Sequence, residues 1–125
     1  MAHVFDNNTP IYLQLQHIFE KKIVSGDLRP GDQMPTVREI AVQYGVNPNT
    51  VQRALTELER EGLAFSRRTS GRFITEDDDV IKQKRHHLAQ QLMAAFISNM
   101  TAFGYTFDEL VLELKTNWRD EHGND

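Results

Sequence analysis

Residues 36–62 read TVREIAVQYGVNPNTVQRALTELEREG, and this stretch decides the fold. Thr36 followed three residues later by Glu39 is a capping box, in which a hydroxyl and a carboxylate satisfy backbone N–H groups that a helix start leaves unpaired. The short helix it opens carries Val37, Ile40, Ala41 and Tyr44 and is ended by Gly45. Asn47-Pro48 starts a second helix, since an amide caps well and proline has no N–H to lose at the first helical position. That helix runs to about Glu61 and stops at Gly62. Two helices joined so tightly cross steeply, and the crossing accepts only small or medium apolar side chains. Ala41 lets the backbones approach, Gly45 makes the turn and Val51 plugs the junction. Leu55 and Leu58 continue the buried seam. The pattern is a helix-turn-helix.

Anchoring the second helix on its leucine side leaves Asn49, Thr50, Gln52, Arg53 and Thr56 facing outward near its N-terminus. A recognition helix meets base edges with this part of its surface. Asparagine and glutamine pair bidentately with adenine and arginine with guanine, while the free N–H groups of the first turn favour a phosphate. Capping chemistry alone would also explain an Asn-Pro start, so the neighbouring elements carry the distinction.

Upstream, Thr9-Pro10 reads as an N-cap followed by proline at the first helical position. Ile11, Leu15, Ile18, Phe19 and Ile23 recur at helical spacing until Gly26, and Arg29 to Asp32 form a turn cluster. Downstream, Leu63 to Arg68 and Arg72 to Thr75 read as two short strands joined by Thr69-Ser70-Gly71. This hairpin carries Arg67, Arg68 and Arg72 and no acid from Ser66 to Thr75. Arginines keep an exposed edge soluble, but three without a counter-charge favour a wing that reaches phosphates or the minor groove, with Gly71 letting the backbone come close.

The run Glu76 to Asp79 marks a boundary, which gives a winged helix-turn-helix over 1–75 and a second region over 76–125. Ile81, Leu88, Leu92, Ala95, Phe96, Met100 and Phe103 predict one helix near Asp79 to Ala102, broken by Gly104. Thr106 with Glu109 is a second capping box, opening a helix with Phe107, Leu110, Val111, Leu114 and Trp118 on one side. The polar tail from about Asp120 is expected to fray. The fold class is therefore mostly α with a small β-hairpin, ending in an antiparallel two-helix hairpin. Two such helices cannot enclose both apolar faces between them. Leu88, Leu92, Phe96, Met100, Leu110, Leu114 and Trp118 are therefore read as a homodimer interface. The competing reading packs both helices back onto the winged domain.

The net charge of −4 speaks against nucleic acid only until its distribution is considered. Residues 1–75 hold nine Lys/Arg against eight Asp/Glu, and residues 76–125 hold five against ten. Phosphate binding follows local charge, so the basic hairpin edge remains compatible with DNA. The absence of cysteine excludes disulfides and thiolate metal sites. Neither a membrane-length apolar run nor a signal peptide is present, so a cytoplasmic protein with no membrane partner is expected. The adjacent His86 and His87 project about 100° apart on a helix and do not chelate together. No metal or other cofactor is expected. An enzyme is disfavoured too, because no nucleophile–base pair, carboxylate pair or phosphate loop occurs at usable spacing.

Taken in order, the segments around Thr9-Pro10-Ile11-Tyr12, GDLRPGDQMPTVREIA, VNPNTVQRALTELEREGL and the glycine hairpin resemble the GntR family of bacterial transcriptional regulators over about residues 8–75. The short C-terminal region is similar to the YtrA-like branch. The resemblance implies a homodimer that binds a two-fold-symmetric double-stranded DNA operator, usually as a repressor. It also implies DNA-contacting roles for Arg38 in the capped helix, for Asn47, Asn49 and Thr50, and for Gly71 at the wing tip. Gln52 stands where larger branches often carry arginine, whereas Arg53 follows the YtrA-like pattern, so operator preference does not transfer from those branches. Winged helices also serve as protein-interaction adaptors, the competing class. At this length no separate effector domain of the usual size is expected. A small-molecule effector of unknown identity could still bind between the paired helices and the winged domain.

Overall fold

The computed structural model describes residues 4–123. Its elements are α1 (Ile11–Ser25), α2 (Val37–Tyr44), α3 (Pro48–Arg60), β1 (Ala64–Arg67), β2 (Gly71–Ile74), α4 (Asp78–Ala102) and α5 (Phe107–His122). The chain divides into two compact units, one up to His86 and one from His87.

In the first unit, α1 begins one residue later than the Thr9-Pro10 pair suggests. Pro10 occupies the cap position in extended backbone, and no side chain caps the helix. Gln14 folds back instead: its amide donates to the carbonyls of Thr9 at 2.7 Å and Asp6 at 2.9 Å, and its oxygen accepts from the Asp6 N–H. Thr9 is thus not the cap. A contact spanning eight residues lies outside any local capping rule, which is why the sequence did not show it.

Both ends of α2 follow the expected chemistry. The Thr36 hydroxyl accepts from the Glu39 N–H at 3.1 Å, and Glu39 returns the bond to the Thr36 N–H at 2.9 Å. These bonds with Thr36 hold the Glu39 carboxyl below its ordinary pKa. Gly45 closes the helix in the left-handed region (φ 66°, ψ 40°), and its N–H donates to the Ala41 carbonyl. The chain then enters α3 through Asn47, whose side chain accepts from the Asn49 N–H at 2.8 Å.

The core forms where α1 packs on α3 and α2 closes their end. Leu15, Phe19 and Ile23 meet Val51, Ala54, Leu55 and Leu58, with Ile40 and Tyr44 from α2 and Leu63, Ala64 and Ile74 from the hairpin. Antiparallel pairing sets Phe65 opposite Phe73, Ser66 opposite Arg72 and Arg67 opposite Gly71. The turn segment before α2 lines the free edge of β2: Gly31 N–H donates to Ile74 O, Ile74 N–H to Asp32 O, and Met34 N–H to Arg72 O. That cover satisfies backbone groups a lone hairpin would expose.

A polar cluster lies beside this core. Glu20 of α1 is 1 % exposed, and the Lys84 ammonium in the first turns of α4 lies 3.0 Å from it while also pairing with Glu61. Gln16 donates to Glu61 at 3.0 Å. Burial, reinforced by the Glu61 carboxylate, pushes the Glu20 carboxyl up to about 7. Burial also acts to raise Glu61, but hydrogen bonds with Glu20, Lys84 and Gln16 outweigh it and leave that carboxyl below its ordinary value. When Glu20 holds its proton, the two carboxyls and the ammonium together carry no net charge, which lowers the cost of burying Glu20.

In the second unit, the later turns of α4 join α5 through a four-residue turn, Phe103 to Thr106. The second capping box is formed, with Thr106 accepting from the Glu109 N–H at 3.3 Å and Glu109 from the Thr106 N–H at 2.9 Å. α5 continues past Asp120 to His122. The His122 ring sits 4.4 Å from that of Trp118, and the Gly123 N–H closes on Arg119 O. These two helices pack on each other less closely than α1 does on α3.

Candidate nucleic-acid interface

The seam of Val51, Ala54, Leu55 and Leu58 is fully buried and turns the opposite side of α3 to solvent. Asn47, Asn49, Gln52 and Arg53 are exposed there, while Thr50 and Thr56 are half-buried. Thr56 spends its hydroxyl proton on the Gln52 carbonyl of its own helix, at 2.9 Å. The Arg53 guanidinium lies over the Tyr12 ring, 3.8 Å from its centroid. Ile11 and Tyr12 from α1 and Asn49, Thr50 and Arg53 from α3 line one shallow hollow. Tyr12 had no local signal in the sequence, because only the packing of α1 on α3 brings it to this face.

Arg38 is exposed in the first turn of α2. The hairpin stands beside that helix start, and the groove between them, about 500 Å³, is lined among others by Thr36, Val37, Arg67, Arg68 and Arg72. Its three arginines are not equivalent. Arg67 is exposed and lies over the stacked Phe65 and Phe73 rings, 5.5 and 5.0 Å from their centroids. Arg68 is exposed without an ion pair among the described residues. Arg72 is turned onto α3, its Nε 3.1 Å from Glu59, and Glu59 also accepts from the Ser66 hydroxyl. The hairpin lacks an acid in sequence, yet α3 supplies one in space. Gly71 opens β2 at φ 101°, and the Gln33 amide sits 3.0 Å from where a Cβ would stand while donating to Ser70 O. A side chain at Gly71 would disturb that brace.

Of the residues read from the sequence as a dimer interface, Leu92, Leu114 and Trp118 are exposed, at 74 %, 51 % and 57 %. Leu88, Phe96 and Met100 are half-buried, and Leu110 is buried within its own unit. Phe96, Leu110 and Leu114 come together around an apolar hollow of about 260 Å³, completed by Met93, Ile97, Thr101, Phe107 and Val111. The helical stripes left out Met93, Ile97 and Leu112, although all three are exposed. Among the described residues no group of three or more His, Asp or Glu could hold a metal, and no helix is long and apolar enough to cross a membrane.

A buried-seam helix with a polar, largely uncharged outer face, preceded by a capped helix and followed by an arginine hairpin, defines a winged helix-turn-helix transcriptional regulator. The chain belongs to the gntR family of bacterial regulatory proteins, whose profile matches residues 11–74. It is 37 % identical over 93 residues to the HTH-type transcriptional repressor YtrA of Bacillus subtilis, covering 73 % of this chain and 72 % of that protein. Its fold superposes on a GntR family transcriptional regulator from Listeria monocytogenes with a TM-score of 0.84 and 38 % identity, over 90 % of this chain and 98 % of that one. The structure of the AraR DNA-binding domain in complex with operator ORX1 matches with a TM-score of 0.55 and 27 % identity, over 58 % of this chain and 93 % of that one.

Proposed function

We propose that a homodimer of this chain binds a two-fold-symmetric operator and represses transcription from it in the cytoplasm. Residues 1–75 read the DNA and residues 76–125 pair the subunits. Asn49, Thr50, Gln52 and Arg53 face base edges. Arg38, Asn47, Thr56, Arg67, Arg68, Arg72 and the Gly71 backbone serve the sugar-phosphate path and the placement of the wing. The observation that carries the reading is the polar, largely uncharged face of α3 beside Arg67 and Arg68, which form no ion pair among the described residues. Hydrogen-bonding groups beside a fixed positive edge suit base readout and phosphate attachment at once. Pairing is supported by Leu92, Leu114 and Trp118, which stand exposed on a unit too small to cover them. Repression is supported by the similarity to YtrA, a transcriptional repressor.

Random-site selection with the full chain tests this reading. An enriched inverted repeat, bound by two chains in a mass measurement, is expected; no enrichment over random duplex would refute it. A small-molecule effector would act on the same assembly by shifting operator affinity, which thermal shift against a metabolite panel on free and operator-bound protein detects.

A further inference from the structure

The arginines near α3 are engaged in different ways. Arg60 donates to Glu57 at 2.9 Å and Arg72 to Glu59 at 3.1 Å, so each spends in-plane N–H groups on a carboxylate. Arg53 donates to no protein acceptor among the described residues, and its contact is the Tyr12 ring. A ring attracts a guanidinium through the π-face, which leaves the N–H groups at the edge of the cation unspent. Tyr12 is a firm support for such a contact. It is half-buried in the first turn of α1, packed against the core, and Gln14 pins the arm just before it.

We propose that Tyr12 is a specificity-positioning residue: its ring holds the Arg53 guanidinium so that the free N–H fork meets the O6/N7 edge of one guanine in the operator. The inference rests on the DNA-reading role proposed above and adds a residue outside the helix-turn-helix to it. A free arginine surrenders rotamer freedom when it docks on a base, and the contact with Tyr12 removes part of that freedom before DNA arrives. Asn49 and Thr50 line the same hollow, so the guanine contact would fall beside the positions read by the first turn of α3.

The test is competition binding by the full chain, on the selected operator and on duplexes changed one base pair at a time. Arg53→Ala should flatten discrimination at one base pair. Tyr12→Leu, which keeps apolar packing but removes the ring, should lower discrimination at that same base pair by about two- to fivefold. Affinity for random duplex and the salt slope should stay unchanged. Tyr12→Phe, which keeps the ring, should behave as wild type, and Tyr12→Leu added to Arg53→Ala should change nothing further. Thermal melts of each variant confirm folding. The inference is overturned if Tyr12→Leu weakens all duplexes alike, if Tyr12→Phe and Tyr12→Leu behave the same, or if Arg53→Ala leaves base choice intact. In those cases operator binding itself survives. A wild-type chain that selects no operator overturns the DNA-reading role together with this inference.

Discussion

Arg72 Nε donates to Glu59 Oε1 at 3.1 Å, tying the second strand of the wing to the recognition helix. The pair is only partly exposed, with side-chain accessibilities of 17 % and 28 %. Its charge is therefore offset before any phosphate approaches, unlike those of Arg67 and Arg68. Arg67→Ala and Arg68→Ala should each lower the slope of log K against log salt by about one unit. Arg72→Ala should lower it by much less and reduce the melting temperature instead. Titrations of the three variants at several salt concentrations, beside thermal melts, separate the two behaviours.

The Glu20 carboxyl, held up at about 7 in the folded protein against an ordinary 4.5, makes stability pH-dependent. The folded state keeps this proton over a range where the unfolded chain has released it. The contribution is therefore full below about 4.5 and is lost as pH rises through about 7. Glu61, Lys84, Gln16 and, at 3.9 Å, His17 all face the group. Glu20→Gln should abolish this slope, so its urea midpoint changes less than that of wild type between pH 5 and pH 8. Equal pH profiles for the two proteins would show that Glu20 does not carry the proton.

Gly45 isolates a backbone effect. It sits at φ 66° with nothing within 4 Å of a Cβ built there, so the left-handed backbone alone sets the cost of a side chain. Gly45→Ala should destabilise the chain by about 1–2 kcal/mol, and Gly45→Asn by less, since asparagine visits that region more readily. Chemical denaturation of both variants provides the comparison.

Leu92 is 74 % exposed on α4. Leu92→Glu should leave helix content unchanged and shift the mass measured by light scattering from dimer toward monomer, with a matching loss of operator affinity. A monomeric wild type would remove the dimer from the proposed function.

The two capping boxes, the Asn47-Pro48 start and the Gly45 stop were legible because each depends on residues within four positions of one another. The apolar seam of Val51, Leu55 and Leu58 was legible for a related reason: helical period alone decides which side of α3 is buried. Contacts between elements were not. Glu59 lies 13 positions from Arg72, so a hairpin without acids acquired a counter-charge that no local reading contains. The same holds for Glu20, which looks like an ordinary surface residue of α1 until Lys84 and Glu61 close over it.

Sequence by itself determined the order of the elements, both ends of α2, the start of α3 and the helix-turn-helix core, because backbone capping, glycine conformation and hydrophobic period act over a few residues. It also placed Asn49, Gln52 and Arg53 on one exposed face. Only the tertiary structure decided which of the charged groups on that surface are already engaged. Arg72 is held by Glu59, Arg53 rests on Tyr12, and Arg67 and Arg68 have no carboxylate partner among the described residues. Distance in space sets the strength of a charge or ring contact, and only the packing of α1, α3 and the hairpin sets that distance.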